Sequence, residues 1–307
     1  MSVLQRVTWL LAAAVLTGLV GCGGSGGGGV SLSDRYKKAL KIPGAEKRAQ
    51  ELIKVAKDQH QAQDSAGTKA SLLAAEKACA EVDAANGRAA AYTDLAAAFL
   101  LVGNARSAKA ALKPARDAAK TIEEESSDDI DAKAVIYVDM AKAQFGVDNE
   151  AFARAHLRDD VERLARKHPT ARGKAAILVR AAQAYHLIGD AAKADETLAA
   201  AVQSAKTIEE DDKRIKALLE IAGAQRKRKQ TAAAGATYDE ALALARQIEK
   251  PESRANLLVD IAGQWLATDK QRAAGVLDEA ERIAKTIKDP AYQQEALQRI
   301  AHQKNKL

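Results

Sequence analysis

Twelve residues of one pattern keep returning along this chain, and a chain built that way has few folds open to it. "RAQELIKVAKDQ" begins at Arg48, "RAAAYTDLAAAF" at Arg88 and "KAVIYVDMAKAQ" at Lys133. "KAAILVRAAQAY" follows at Lys174, "RIKALLEIAGAQ" at Arg214 and "RANLLVDIAGQW" at Arg254, and a half-unit, "QQEALQRIAHQK", at Gln293. The starts lie 40, 45, 41, 40, 40 and 39 residues apart. A period of this length means like supersecondary units in a stack, each burying its apolar side against the next.

Within a unit the apolar positions are helical. Leu178, Ala181, Ala182 and Tyr185 recur at i, i+3, i+4 and i+7, as do Leu258, Ile261, Ala262 and Trp265. A turn follows at Gly103-Asn104, at Gly189-Asp190 and at Thr268 to Lys270. A second helical set comes next: Ala108, Leu112 and Ala115, or Ala194, Leu198 and Ala201, or Ala234, Tyr238 and Ala241. Units close on a tail, "AKTIEE" at 119 and 205, "ARQIEK" at 245 and "AKTIKD" at 284. The pattern predicts hairpins of antiparallel helices. Alanine dominates the apolar residues, aromatics make up only 4% of the chain, and so the helices must pack closely. A bulky side chain at Ala182 or Ala262 is expected to force the stack apart. Pro114, inside a second helix, is expected to kink or split it.

The spacing Ala182, Tyr185, Gly189, Ala194, Leu198, Ala201 resembles the tetratricopeptide repeat, most clearly in the second and fourth units. The resemblance covers Arg48 to Leu307 and implies an all-α fold, a right-handed α-solenoid of about six and a half hairpins over residues 45–307. The period, near forty rather than thirty-four, departs from that family, as does the missing closing proline. The extra residues are assigned to longer second helices and acidic inter-repeat loops, and HEAT or armadillo repeats stay open as alternatives. Every full unit begins with Arg or Lys, unfavourable at a helix start. Acidic neighbours such as "SSDDID" and "EEDDK" offer local pairing. Phe99, Tyr185 and Trp265 alternate with Gln59, Gln144 and Gln225 at one position, the mark of a two-repeat duplication or of chance.

Ahead of the repeats, Arg6 and an apolar run from Trp9 to Val20 are too short to span a bilayer and have the layout of an export signal. A short uncleaved anchor is the alternative. Leu19-Val20-Gly21-Cys22 closely resembles the lipobox of bacterial lipoproteins. The resemblance implies cleavage between Gly21 and Cys22, residues 1–21 as signal peptide, and Cys22 as the lipidated first residue. "GGSGGGG" after it reads as a tether within a linker over residues 22–32. Gly23 stands where an inner-membrane retention aspartate occurs in enterobacterial lipoproteins, so the outer membrane, facing the periplasm, is favoured. A short basic helix is predicted over 33–44, capped by Ser33 and ended by Pro43-Gly44. Its Arg35, Lys37, Lys38 and Lys41 face either solvent or anionic headgroups.

No catalytic constellation emerges. The five histidines, His60, His156, His168, His186 and His302, lack ligand spacing. Cys79 reads as a buried hydrophobe, and "EEESSDD" lacks the glycine and spacing of a calcium loop. No metal and no cofactor are expected. The 47 basic and 41 acidic residues are interspersed, which argues against nucleic acid as partner. The resemblance implies a concave groove whose positions fall on Lys57, His60, Thr93, Lys142, Gln183, His186, Lys216, Arg226 and Asn256. That set carries no acid and suits an acidic partner segment. The expected function is a membrane-anchored, non-enzymatic scaffold of the bacterial cell envelope that binds a partner protein or peptide. A cell-wall enzyme or its regulatory subunit is the alternative, and a body that packs only against itself as an oligomer is a third.

Overall fold

The computed structural model describes residues 30–307, so the export signal, the lipobox with Gly21 and Cys22, and the glycine run lie outside the described residues. Among those described, every regular element is helical. After α1 (Leu32–Leu40), α2 (Ala45–Gln61) pairs with α3 (Ser65–Ala80), and α4 (Ala85–Leu101) with α5 (Ala105–Lys120). α6 (Ser127–Gly146) pairs with a limb made of α7 (Glu150–Ala155), a π-helical turn (His156–Val161) and α8 (Glu162–Lys167). Then come α9 (Ala171–Leu187) and α10 (Ala191–Lys206), α11 (Asp211–Lys227) with α12 (Thr231–Gln247), and α13 (Pro251–Trp265) with α14 (Lys270–Ala284). α15 (Pro290–Lys304) closes the series without a second limb.

The chain packs as two units. One runs through Arg166 and takes in Ala184–Ala191, and the other comprises Lys167–Gln183 and Ala192–Leu307. In each, first helices stand side by side: α4 touches α2 and α6, and α13 touches α11 and α15. This is the expected α-solenoid of stacked hairpins. Its packing rests on a column of alanines at one position of the six full repeats. Ala56, Ala96, Ala141, Ala182, Ala222 and Ala262 are each 0% exposed. A methyl group lets helix axes approach, and nothing larger fits without parting them. α15 turns Glu295, Gln298 and His302 outward, a polar face that ends the stack in water.

Five of the six turns between paired helices use a left-handed residue, the turn between α13 and α14 being the exception. Gln63, Gly103, Asp148, Gly189 and Lys229 have φ of 60°, 76°, 62°, 83° and 61°. The next amide then reaches back over the helix end: Asp64 N to Gln59 O (2.9 Å), Asn104 N to Phe99 O (2.8 Å), Gln230 N to Gln225 O (3.0 Å). Glycine takes this conformation without strain, whereas Gln63, Asp148 and Lys229 adopt it at a cost. Asp64 and Asn104 also cap the following helices, accepting from Gly67 N (2.8 Å) and Ser107 N (3.0 Å).

The basic residue that opens each repeat sits inside the first helix. Arg48, Arg88, Arg214 and Arg254 are fourth in α2, α4, α11 and α13. Side chains there point back toward the preceding loop. Arg48 donates to the carbonyls of Ile42 (2.6 Å) and Pro43 (3.1 Å), and Arg88 to those of Val82 (2.6 Å) and Asp83 (2.8 Å). Lys133 reaches Ile122 O (2.6 Å), and Gln293 reaches Lys285 O (3.1 Å) and Ile287 O (3.2 Å). These bonds clamp the junction between repeats by satisfying carbonyls that the previous helix leaves open. Pairing with a preceding acid, the expected compensation, occurs at Arg214 with Asp211.

The alternation of glutamine with aromatics has a partner that the repeat pattern alone did not supply. Ser71 Oγ donates to Gln59 Oε1 (2.7 Å), and Thr237 Oγ1 to Gln225 Oε1 (2.9 Å), each twelve residues on and buried. A buried amide needs such a partner, while Phe99, Tyr185 and Trp265 fill the same place with apolar bulk. In the third repeat the residue twelve after Gln144 is His156, at the start of the π turn. That repeat is 41 residues long, and a π turn accommodates one inserted residue without ending the helix.

α5 runs through Pro114 without splitting. Ala110, four residues earlier, is exposed, so the carbonyl that proline cannot serve is on the solvent side. The length of each repeat goes into both helices of a pair: α2 and α3 have 17 and 16 residues, α4 and α5 likewise. α1 starts one residue early, at Leu32, because Ser31 rather than Ser33 caps it, accepting from Asp34 N (3.1 Å).

Candidate interaction site

The second unit holds a cleft of about 680 Å³ lined chiefly by α11, α13 and α15, with Arg172 from α9. Leu219 and Leu266 add apolar surface to its lining, and Gly263 leaves out a side chain near the C-terminal end of α13. Arg172, Lys216 and Lys306 bring positive charge, Glu220 and Asp260 negative. Asp260 is already matched, accepting from Arg299 Nη2 (2.7 Å), whose other nitrogen donates to Asn256 Oδ1 (2.6 Å). Cations therefore outnumber acids in what the cleft has left to offer a ligand.

Glu220 and Asp260 share a repeat position that repeat counting missed. Six residues after each repeat start stand Lys54, Asp94, Asp139, Arg180, Glu220, Asp260 and Arg299, so the position is charged every time. That unbroken column was the signal in the sequence. Its members lie on the same helix face as the positions three residues later, which include Lys57, Lys142, Gln183 and Gly263. In the first unit, Asp94 stays solvent-accessible although surrounding protein displaces much of its water. That desolvation pushes its carboxyl pKa up, Lys57 opposes the shift, and Asp139 adds to it.

The predicted groove residues scatter accordingly. Lys216 lines the cleft. Lys57 faces Asp94, and Lys142 pairs with Asp139 (2.7 Å). His60, Gln183 and His186 are exposed on their first helices and do not line this cleft. Thr93 is buried, its hydroxyl spent on Ala89 O (2.8 Å), because its position packs between neighbouring first helices. Arg226 turns inward to Tyr238, whose hydroxyl is pushed up in pKa by burial and held back by that guanidinium. Asn256 is taken by Arg299. Acids stand near these positions in each unit, Asp94 beside Lys57 in the first and Glu220 and Asp260 beside Lys216 in the second.

Buried chemistry elsewhere is structural. Cys79 is buried and its thiol is pushed up to about 12, first by desolvation, then by Asp94 and Glu76. A thiol in that state is a poor nucleophile. His156 stacks on Tyr137 (5.4 Å between centroids) with Nδ1 at 2.6 Å from Asp160 Oδ2. Glu124 ties Lys133 (3.0 Å) to Arg163 (2.8 Å) beneath α6. Among the described residues, no three His, Cys, Asp or Glu side chains converge as metal ligands, and no helix is long and apolar enough to cross a membrane.

No protein family and no curated protein matches the chain. Among solved structures it is similar to Ton1535 from Thermococcus onnurineus NA1, with 14% identity over 98% of this chain and 99% of that one, at a TM-score of 0.36. It is similar also to BtubC (BKLC) from P. vanneervenii, with 13% identity over 83% and 91%, at 0.38. A third is a signal transduction ATPase with numerous domains and a tetratricopeptide repeat sensor, from Pyrococcus horikoshii: 16% identity over 89% and 41%, at 0.39. Likenesses this distant do not extend to what the chain does.

Proposed function

We propose that the chain is a lipid-anchored protein-interaction scaffold of a bacterial cell envelope. In this reading Cys22 carries the lipid after cleavage behind Gly21, and the body faces the periplasm from the outer membrane. The cleft between α11, α13 and α15 takes an extended segment of a partner protein. One observation carries the proposal: an open cleft with Leu219 and Leu266 in its lining bears Arg172, Lys216, Lys306 and Glu220, which form no ion pair among the described residues. Surfaces that only need solubility intersperse charges over convex faces, whereas recognition gathers them in a concavity. The partner segment carries net negative charge, with a hydrogen-bond donor set against Glu220. The role is binding rather than catalysis.

The test is crosslinking in intact cells, comparing the native chain with the Lys216→Glu, Lys306→Glu double variant. A discrete adduct that the variant loses, at unchanged thermal stability, supports the cleft. An adduct retained in full by the variant refutes it.

A further inference from the structure

We infer that α1 is a membrane-docking surface for anionic phospholipid, holding the N-terminal end of the first unit against the bilayer; this rests on the anchoring reading of Cys22. The structure sorts the charges of this end of the chain. Arg35 is turned inward and spent on Asp58 of α2 (2.7 Å). Asp34 is drawn to the helix start, where Ser31 Oγ donates to its carboxylate (2.7 Å). Glu46, the first acid of α2, leans toward Gly87 in the first turn of α4, where the helix dipole favours it. Lys37, Lys38 and Lys41 stay exposed and, among the described residues, only the distant Asp34 (3.8 Å from Lys37 Nζ) draws on any of them.

Apolar side chains accompany these lysines. Leu40 is 44% exposed and Val30 65%, while Ala39 alone of α1 is buried against the body. At helical spacing Ser33, Lys37 and Leu40 share one outward face, with Lys41 beside it. Lysines flanking an exposed leucine match an interface where headgroups meet acyl chains: ammonium groups stay at the phosphates and the apolar side chain sinks below them. Position supplies the remaining argument. Val30 follows Cys22 by eight residues, which even fully extended reach no further than about 28 Å. A lipidated Cys22 therefore keeps this face within reach of the bilayer surface, and the negative potential there extends over about one Debye length.

The experiment uses the lipidated full protein in vesicles of phosphatidylcholine, with and without phosphatidylglycerol. An environment-sensitive fluorophore is placed at Leu40→Cys or, as control, at Leu73→Cys on α3, where the native leucine is 49% exposed. Buried Cys79 takes no label. The inference predicts that brominated lipid quenches the Leu40 probe in anionic vesicles, and that the Leu73 probe stays in water. Replacing Lys37, Lys38 and Lys41 by Gln lowers the docked population more than tenfold, at about fivefold per lysine. A protein that floats with the vesicles while the Leu40 probe stays in water, or is quenched without regard to lipid charge, overturns the inference and leaves the anchor standing. A protein that carries no lipid and does not float overturns both.

Discussion

Arg88→Met tests the junction between repeats. The substitution keeps a stem of similar length to cover the same apolar surface and removes the guanidinium. Two bonds go with it, Nε to Val82 O at 2.6 Å and Nη2 to Asp83 O at 2.8 Å. A hydrogen bond from a charged group contributes about 1.5–3 kcal/mol net when shielded and less in water. Val82 is 4% exposed and Asp83 is exposed, so the first bond takes nearly the full value and the second little. The sum is about 2 kcal/mol. It is local, because Arg88 ties α4 to the loop that ends α3 and does not reach other junctions. Native-state hydrogen exchange is the suitable assay, since a repeat array need not unfold in one step. Amide protection in the first turns of α4 is expected to fall by roughly thirtyfold, the equivalent of about 2 kcal/mol, while α11 to α14 keep theirs. Arg88→Lys, with one donor group placed near Val82 O, should lose less. Unchanged protection in Arg88→Met would show that these residues are ordinary surface charges and that the clamp contributes nothing.

Three further outcomes follow from the packing. Ala262→Leu adds bulk where a fully buried methyl group meets neighbouring helices, and should lower stability by about 1–3 kcal/mol in urea unfolding, whereas the same change at exposed Ala236 should cost almost nothing. Lys229→Gly relieves a left-handed residue at φ 61° and should raise stability by up to about 1 kcal/mol; a loss would mean that the turn is not strained. Cys79, held up near 12, should resist iodoacetamide at neutral pH in the folded protein and react on unfolding, and fast alkylation of the folded form would contradict its burial.

Much of the architecture was legible because the hairpins repeat. Recurring Ala182 and Ala262 marked the helix contacts, and Gly103 and Gly189 marked turns that the structure closes with left-handed residues. What escaped was rotation about each helix axis. Family spacing placed Thr93 and Arg226 in a groove, yet a shift of one residue is 100° on a helix, and with 17-residue first helices these two turn into the body. The charged position that recurs from Lys54 to Arg299 includes Glu220 and Asp260 of the cleft, and it was overlooked because its sign varies. Bonds across twelve residues, such as Ser71 to Gln59, depend on how a hairpin folds back, and no local pattern encodes that. Pro114 leaves α5 unsplit because its cost depends on whether the orphaned carbonyl meets water, a matter of exposure rather than sequence.

The account of function turns on the cleft of the second unit. Its most direct test places a photoreactive side chain at Lys216 on the cleft wall, and separately at exposed Gln247 on α12, in living cells. A discrete partner adduct from Lys216 with none from Gln247 is the predicted result. Adducts from Gln247 with none from Lys216 would contradict it.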